Sequence, residues 1–224
     1  MLDSNPLQRL RDARQALHSV GEWLLAGPQY QRAGTIRLNV EPGSIATKDG
    51  LVSMSSGEVV SRLGADEIRV PFRGSVAEIG AALGIAPSVP TDLYPDHAEL
   101  SPDDPITFKE SDAAELIRWF ALGQTALRLA MPAETPVLWP EHFDLAATQA
   151  EVNFGVSLGD TFLDEPYAYV GPWETRRGAF WNAPFGAARA ATEFGDAEAL
   201  GAFFAEGARV AASDPPAQAG DEEI

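Results

Sequence analysis

The chain contains no cysteine. Disulfides, thiolate metal sites and a cysteine nucleophile are excluded together. Histidine is scarce, with His18, His97 and His142 the only three in 224 residues. Cations are outnumbered as well, since 16 Lys and Arg against 33 Asp and Glu leave a formal charge of -17. A surface this acidic repels phosphate backbones and anionic membrane faces, so neither nucleic acid nor membrane is expected as a partner. The one basic cluster, Arg9, Arg11 and Arg14, lies on a predicted helix and reads as a solvated face. No apolar run is long enough to span a bilayer, and the opening MLDSNPLQRLRDARQAL has charges throughout and no apolar core of a secretory signal. A cytoplasmic protein is expected. Neither the P-loop pattern nor GxGxxG occurs, and no cofactor is expected.

What is present is material for a folded core. Apolar residues make up 45% of the chain, with 11 Phe, 5 Trp and 4 Tyr. Pro6 after Ser4 or Asn5, followed by Leu7, Leu10, Ala13, Leu17, Val20 and Leu24, predicts an amphipathic helix that stops at Gly27-Pro28. The alternation in TIRLNV and EIRVPF, with a turn at Lys48-Asp49-Gly50, predicts strands of an antiparallel sheet with one wet face. Ser75 and Glu78 form the pattern of a capping box opening a short helix. A second long helix is expected from about Ser111 to Met131, then strands from Val137 to about Trp181, and a last helix opened by Asp196.

The fold class expected is therefore α+β, antiparallel sheet with helices packed on one side. The order helix, strands, helix occurs twice, which suggests a pseudo-duplication. The units are 1–86 and 107–212, joined by a proline-rich connector, 87–106, and sharing one core. A tail, 213–224, is expected to be disordered.

The stretch 136–186 holds three of the five Trp and His142. A two-residue turn at Gln149-Ala150 would set Ala147 against Val152, Leu145 against Phe154 and Phe143 against Val156, placing the large apolar residues on one face. The other face then presents His142, Asp144, Asn153 and Ser157, with His142 opposite Ser157. Glu165, Tyr167 and Tyr169 share that face if Ala168 and Val170 take the core side, and Trp173 lies beyond them. These eight residues form the candidate ligand-binding site.

Three sharper patterns occur in the same stretch. His142-Phe143-Asp144 has the spacing of two ligands of a facial-triad iron site, but no histidine follows to complete it, so no metal is expected and His142 is read as paired locally with Asp144. Gly155-Val156-Ser157-Leu158-Gly159 spells a nucleophile elbow, yet a loop and a strand follow where a helix is required. Glu141, Asp144, Glu151, Asp160, Asp164 and Glu165 with neighbouring aromatics could suit a glycosidase, but nothing in their spacing singles out two, and an acidic rim is the preferred reading.

The segments FDLA (143–146), EPYAYVGPW (165–173) and FWNAPFGA (180–187) resemble a group of uncharacterised proteins from high-GC Gram-positive (actinobacterial) organisms, most clearly over residues 105–210. The resemblance implies a fold and a lineage, and it places no catalytic residue on this chain. The expected function is a non-catalytic cytoplasmic protein binding a small molecule or a protein partner through the 137–185 sheet. The alternative is a hydrolase or isomerase using His142, Asp144 or Glu165 in acid-base chemistry. A third reading is a homodimer associating through its helices.

Overall fold

The computed structural model describes residues 5–95 and 97–216. Helix α1 (Pro6–Val20) opens as its sequence requires: the Asn5 side chain accepts a bond from the Leu7 amide, and Pro6 occupies the first turn, where its missing N–H costs nothing. Leu7 is exposed nevertheless, one turn too early to reach the core.

The helix does not stop at Gly27-Pro28. It widens into a π turn over Gly21–Ala26 and continues as α2 (Gly27–Ala33) until Gly34 adopts φ 68. In a regular helix the proline ring collides with the carbonyl four residues back. Here the Gly27 amide bonds five residues back to the Glu22 carbonyl, and the wider turn accommodates the ring. A Cβ on Gly27 would stand 1.8 Å from the Ser88 carbonyl oxygen, so glycine also lets the connector cross the helix here.

Five strands follow: β1 (Leu38–Glu41), β2 (Ser44–Thr47), β3 (Val52–Met54), β4 (Glu58–Ser61) and β5 (Ile68–Pro71). Next come β6 (Gly74–Ser75) and α3 (Val76–Leu83), whose capping box has both reciprocal bonds. The connector ends in β7 (Pro105–Ile106), paired with β6, and leads into α4 (Glu110–Ala130). The second set of strands is β8 (Val137–Trp139), β9 (Asp144–Gln149), β10 (Val152–Ser157), β11 (Tyr167–Pro172) and β12 (Ala187–Ala190). Helix α5 (Ala197–Ser213) is capped by Asp196, which accepts from the Ala199 amide. Of the expected tail, 217–224 lies outside the described residues. Ser213 ends α5, and Pro216 bridges to Arg176.

The fold is α+β. Ten antiparallel strands run in the order β12-β11-β10-β9-β8-β1-β2-β3-β4-β5, so each half of the chain contributes a five-stranded meander and the two first strands meet in the middle, Leu38 against Leu138. One hydrophobic cluster draws on both halves, with Leu17, Leu24 and Leu38 from the first and Phe120, Leu138, Phe154 and Phe204 from the second. In the second half, Phe154 and Val156 of β10 and Val170 of β11 point toward α4 and α5, where Phe154 meets Phe204 edge to face at 6.3 Å. Burying one such ring is worth about 2–3 kcal/mol, which fixes the face the helices take.

The basic residues of α1 are not a solvated face. Arg9 Nε lies 3.1 Å from Asp112 Oδ2 of α4, Arg11 pairs with Asp164 at 2.5 Å, and the Arg14 side chain, 14% exposed, lies 3.7 Å from the same Asp164. They tie α1 to α4 and to the loop before β11. The outer edge of β12 is met by a side chain: Asn182 donates to the Ala188 carbonyl at 3.0 Å and accepts from the Ala188 amide at 2.9 Å. Among the described residues no helix is long and apolar enough to cross a membrane.

Candidate functional site

Since the helices take one face of β9, β10 and β11, the residues alternating with Phe154, Val156, Ala168 and Val170 face the other way. The hairpin register differs from the expected one by two residues. The turn is Ala150-Glu151, both at positive φ (50 and 61), so Gln149 pairs with Val152 and Asp144, not His142, pairs with Ser157. Two non-glycine residues in the left-handed region match the twist that a tight hairpin needs, and they do so without the Asn-Gly signal that marks such turns. A slip of two preserves side-chain parity, so Asp144, Asn153 and Ser157 keep the face assigned to them, while His142 falls outside the strand, in the turn before β9.

The cross-strand rows on the helix-free face are Asp144, Ser157, Tyr167 and then Ala146, Gly155, Tyr169. Gly155 decides the geometry. Its bare backbone lets the Tyr169 ring lie across β10, where a Cβ would come within 2.6 Å of the ring and its hydroxyl, and the Tyr169 hydroxyl thereby reaches Asp144 Oδ2 and donates to it. Alongside, the Tyr167 hydroxyl donates to Asp160 Oδ2 at 2.6 Å, while Asp160 Oδ1 accepts the Phe162 and Leu163 amides at 2.8 and 3.2 Å and so shapes the loop after β10. Two tyrosine-carboxylate pairs therefore stand side by side, their rings 6.3 Å apart.

These groups line a cavity of about 710 Å³ on the open face of the sheet. His142, Asp144, Asn153, Ser157, Tyr167, Tyr169 and Trp173 are among its lining residues, and Glu165, in the loop before β11, is not. Asp160, named from sequence only among the carboxylates of an acidic rim, lines it as well, and so do Phe162 and Phe185, which the sequence did not single out. Asp160 begins a side-chain turn, a signal that was readable. Phe185 comes from the loop before β12, and its approach depends on tertiary structure alone. Phe162 and Phe185 meet edge to face at 4.9 Å and extend the tyrosine pair into one aromatic surface. A second cavity of about 600 Å³, under α1, shares His142, Asp160 and Thr161 with the first.

His142 is not paired with Asp144. Its side chain is 69% exposed at the rim, 3.9 Å from Glu141, and Asp144 is held by Tyr169 instead. The other histidines are engaged elsewhere. Half-buried His18 stacks on Phe143 at 5.0 Å and its Nε2 meets the Pro140 carbonyl at 2.7 Å; desolvation lowers its pKa. Ser157 lies within β10, its hydroxyl accepts the Gly159 amide and its carbonyl accepts the Trp119 indole, so the G-x-S-x-G match is a strand end and not an elbow.

No family model, no curated protein and no solved structure matches this chain.

Burial raises the Asp144 pKa, an effect larger than the opposing bond from Tyr169. Burial, reinforced by the neighbouring carboxylates, raises Tyr167 and Tyr169 too, which keeps both hydroxyls protonated as donors. A carboxyl whose folded pKa exceeds its unfolded value contributes stability at pH below the unfolded value, and that contribution is lost as pH rises through the folded one. Asp144→Asn, which keeps an acceptor for Tyr169 and carries no charge, is therefore expected to be more stable than the parent at neutral pH. The advantage should shrink toward zero near pH 4, about the carboxyl's ordinary value. Urea denaturation at the two pH values measures it, and equal stabilities at neutral pH would refute the assignment.

Proposed function

We propose that this chain is a non-catalytic cytoplasmic protein that binds a small organic molecule on the helix-free face of β9, β10 and β11. The observation that carries this reading is the cavity itself. It has the volume of an ordinary ligand site, with five aromatic side chains and a few fixed polar groups converging on it. Absence of catalysis is supported by the state of the reactive groups: the Ser157 hydroxyl is engaged by backbone, and His142 touches neither Ser157 nor Asp144 by hydrogen bond. The acidic charge supports a partner that is neither nucleic acid nor anionic membrane.

Protein association and a helix-mediated homodimer are weaker readings, because the exposed aromatics Phe162, Trp173 and Phe185 gather at the rim of a cavity and not on a flat patch. Acid-base catalysis has one observation in its favour, the raised pKa of Asp144 in a cleft. A thermal-shift screen of metabolites, sugars and amines tests the proposal. A ligand that raises the melting temperature of the parent, but not of Phe185→Ala, supports it. Shifts indifferent to Phe185→Ala would place binding elsewhere, and turnover of a stabilising compound, lost in Asp144→Asn, would favour the enzyme.

A further inference from the structure

Resting on that reading, we propose that the ligand is an organic cation, a molecule presenting a quaternary or alkylated ammonium group to the aromatic surface of Tyr167, Tyr169, Phe162 and Phe185. Three independent properties of the cavity point the same way. First, among the described residues its lining contains no lysine or arginine, while Asp144 and Asp160 both belong to it. Second, each of the four rings lies within 6.5 Å of at least two others, as a contiguous cluster. Ring faces carry the negative part of the aromatic quadrupole and attract a cation resting on them. Third, three hydrogen-bond donors of that face already give their protons to neighbours: Tyr169 to Asp144, Tyr167 to Asp160, and the Trp173 indole to Asn153 Oδ1.

That commitment separates a cation from a sugar, which also favours aromatic and carboxylate surroundings. A sugar presents hydroxyls that must accept bonds as well as donate them, and the groups flanking the rings, the two tyrosine hydroxyls and the indole, have already given their protons to acceptors of the protein. An alkylated ammonium asks for no donor at all. It needs aromatic surface and negative charge, which the lining supplies, and the -17 charge of the chain raises the local concentration of any cation. The aromatic surface favours an ammonium carrying methyl or alkyl groups over a bare metal ion, because alkyl groups gain from apolar contact while a small ion keeps its water.

The probe is choline, compared with its uncharged carbon isostere, in which a tert-butyl group replaces trimethylammonium. Isothermal titration and chemical-shift perturbation of the full chain read the two. Choline is expected to bind about tenfold or more tighter than the isostere, at millimolar concentrations or below, and to be weakened on the order of fivefold by Phe185→Leu, which keeps apolar bulk and removes the quadrupole. Asp144→Asn, which conserves shape, should weaken it by a similar factor, so the result does not depend on one variant folding well. Equal binding of choline and isostere would overturn the cation and leave the ligand cavity standing. No choline binding, together with another compound that stabilises the parent but not Phe185→Ala, would do the same. If nothing bound with sensitivity to Phe185, both readings would fall.

Discussion

Glu22→Ala is expected to lower the free energy of unfolding by about 3 kcal/mol, because it strips the carboxylate from the middle of a buried junction and leaves its partners unsatisfied. Glu22 sits in the π turn with its side chain fully enclosed. One oxygen meets His97 Nδ1 at 2.7 Å and the other accepts the Ala98 amide at 2.6 Å, both from the connector. The connector is held again at Ser88, whose amide donates to the Trp23 carbonyl at 3.0 Å. Alanine would orphan the Ala98 amide and leave a void where the carboxylate stood. Glu22→Gln retains volume and an acceptor, and should cost less than half as much. Urea unfolding followed by tryptophan fluorescence reads both. A loss below about 1 kcal/mol for the alanine variant would mean that water replaces the carboxylate without penalty, contrary to the enclosure described.

The second large effect is expected at Gly155. Its φ is not in the left-handed region, so alanine is acceptable to the backbone, and the nearest atoms that oppose it are those of the Tyr169 ring and hydroxyl. The ring must move, Tyr169 loses Asp144, and the aromatic surface is broken in the middle. Gly155→Ala should cost about 2 kcal/mol as an overpacking change and weaken ligand binding more than tenfold. Adding Tyr169→Ala to it removes the collision. The double variant is expected to recover part of the stability, with a coupling energy of at least about 1 kcal/mol, and to recover none of the binding. Additive stability losses would show that the ring was not what glycine accommodates.

How much could be read in the chain beforehand depended on the range over which each signal acts. Helix α5 and its Asp196 cap, the Ser75-Glu78 box and the alternation of β1, β9 and β10 are local, and they led to the α+β class with helices on one side. The faces of β9 and β10 followed from parity, which explains why a register wrong by two residues still assigned Asp144, Asn153 and Ser157 to the face on which they lie. The turn itself was illegible, because Ala150 and Glu151 carry no glycine or asparagine to announce positive φ. Pro28 announced a helix end that the π turn at Gly21–Ala26 prevented, and no local pattern marks that widening. Arg14 looked solvated because its partner Asp164 is 150 residues distant. Phe185 was missed for the same reason: only the finished sheet brings its ring to Tyr169.

Asn182 bears on a different matter, the limits of growth. A sheet of ten strands has an outermost row of amides and carbonyls that could template an eleventh from any passing chain. By donating to and accepting from Ala188 together, the Asn182 carboxamide counterfeits a single peptide unit of that missing strand and then offers nothing to extend it. At the opposite border, β5 is only four residues long and ends at Pro71, with the exposed Arg69 charged between Glu58 and Glu67. A single chain can in this way carry a broad sheet whose two borders are each terminated by chemistry, one by mimicry and one by brevity and charge, and remain closed to fibrous self-addition.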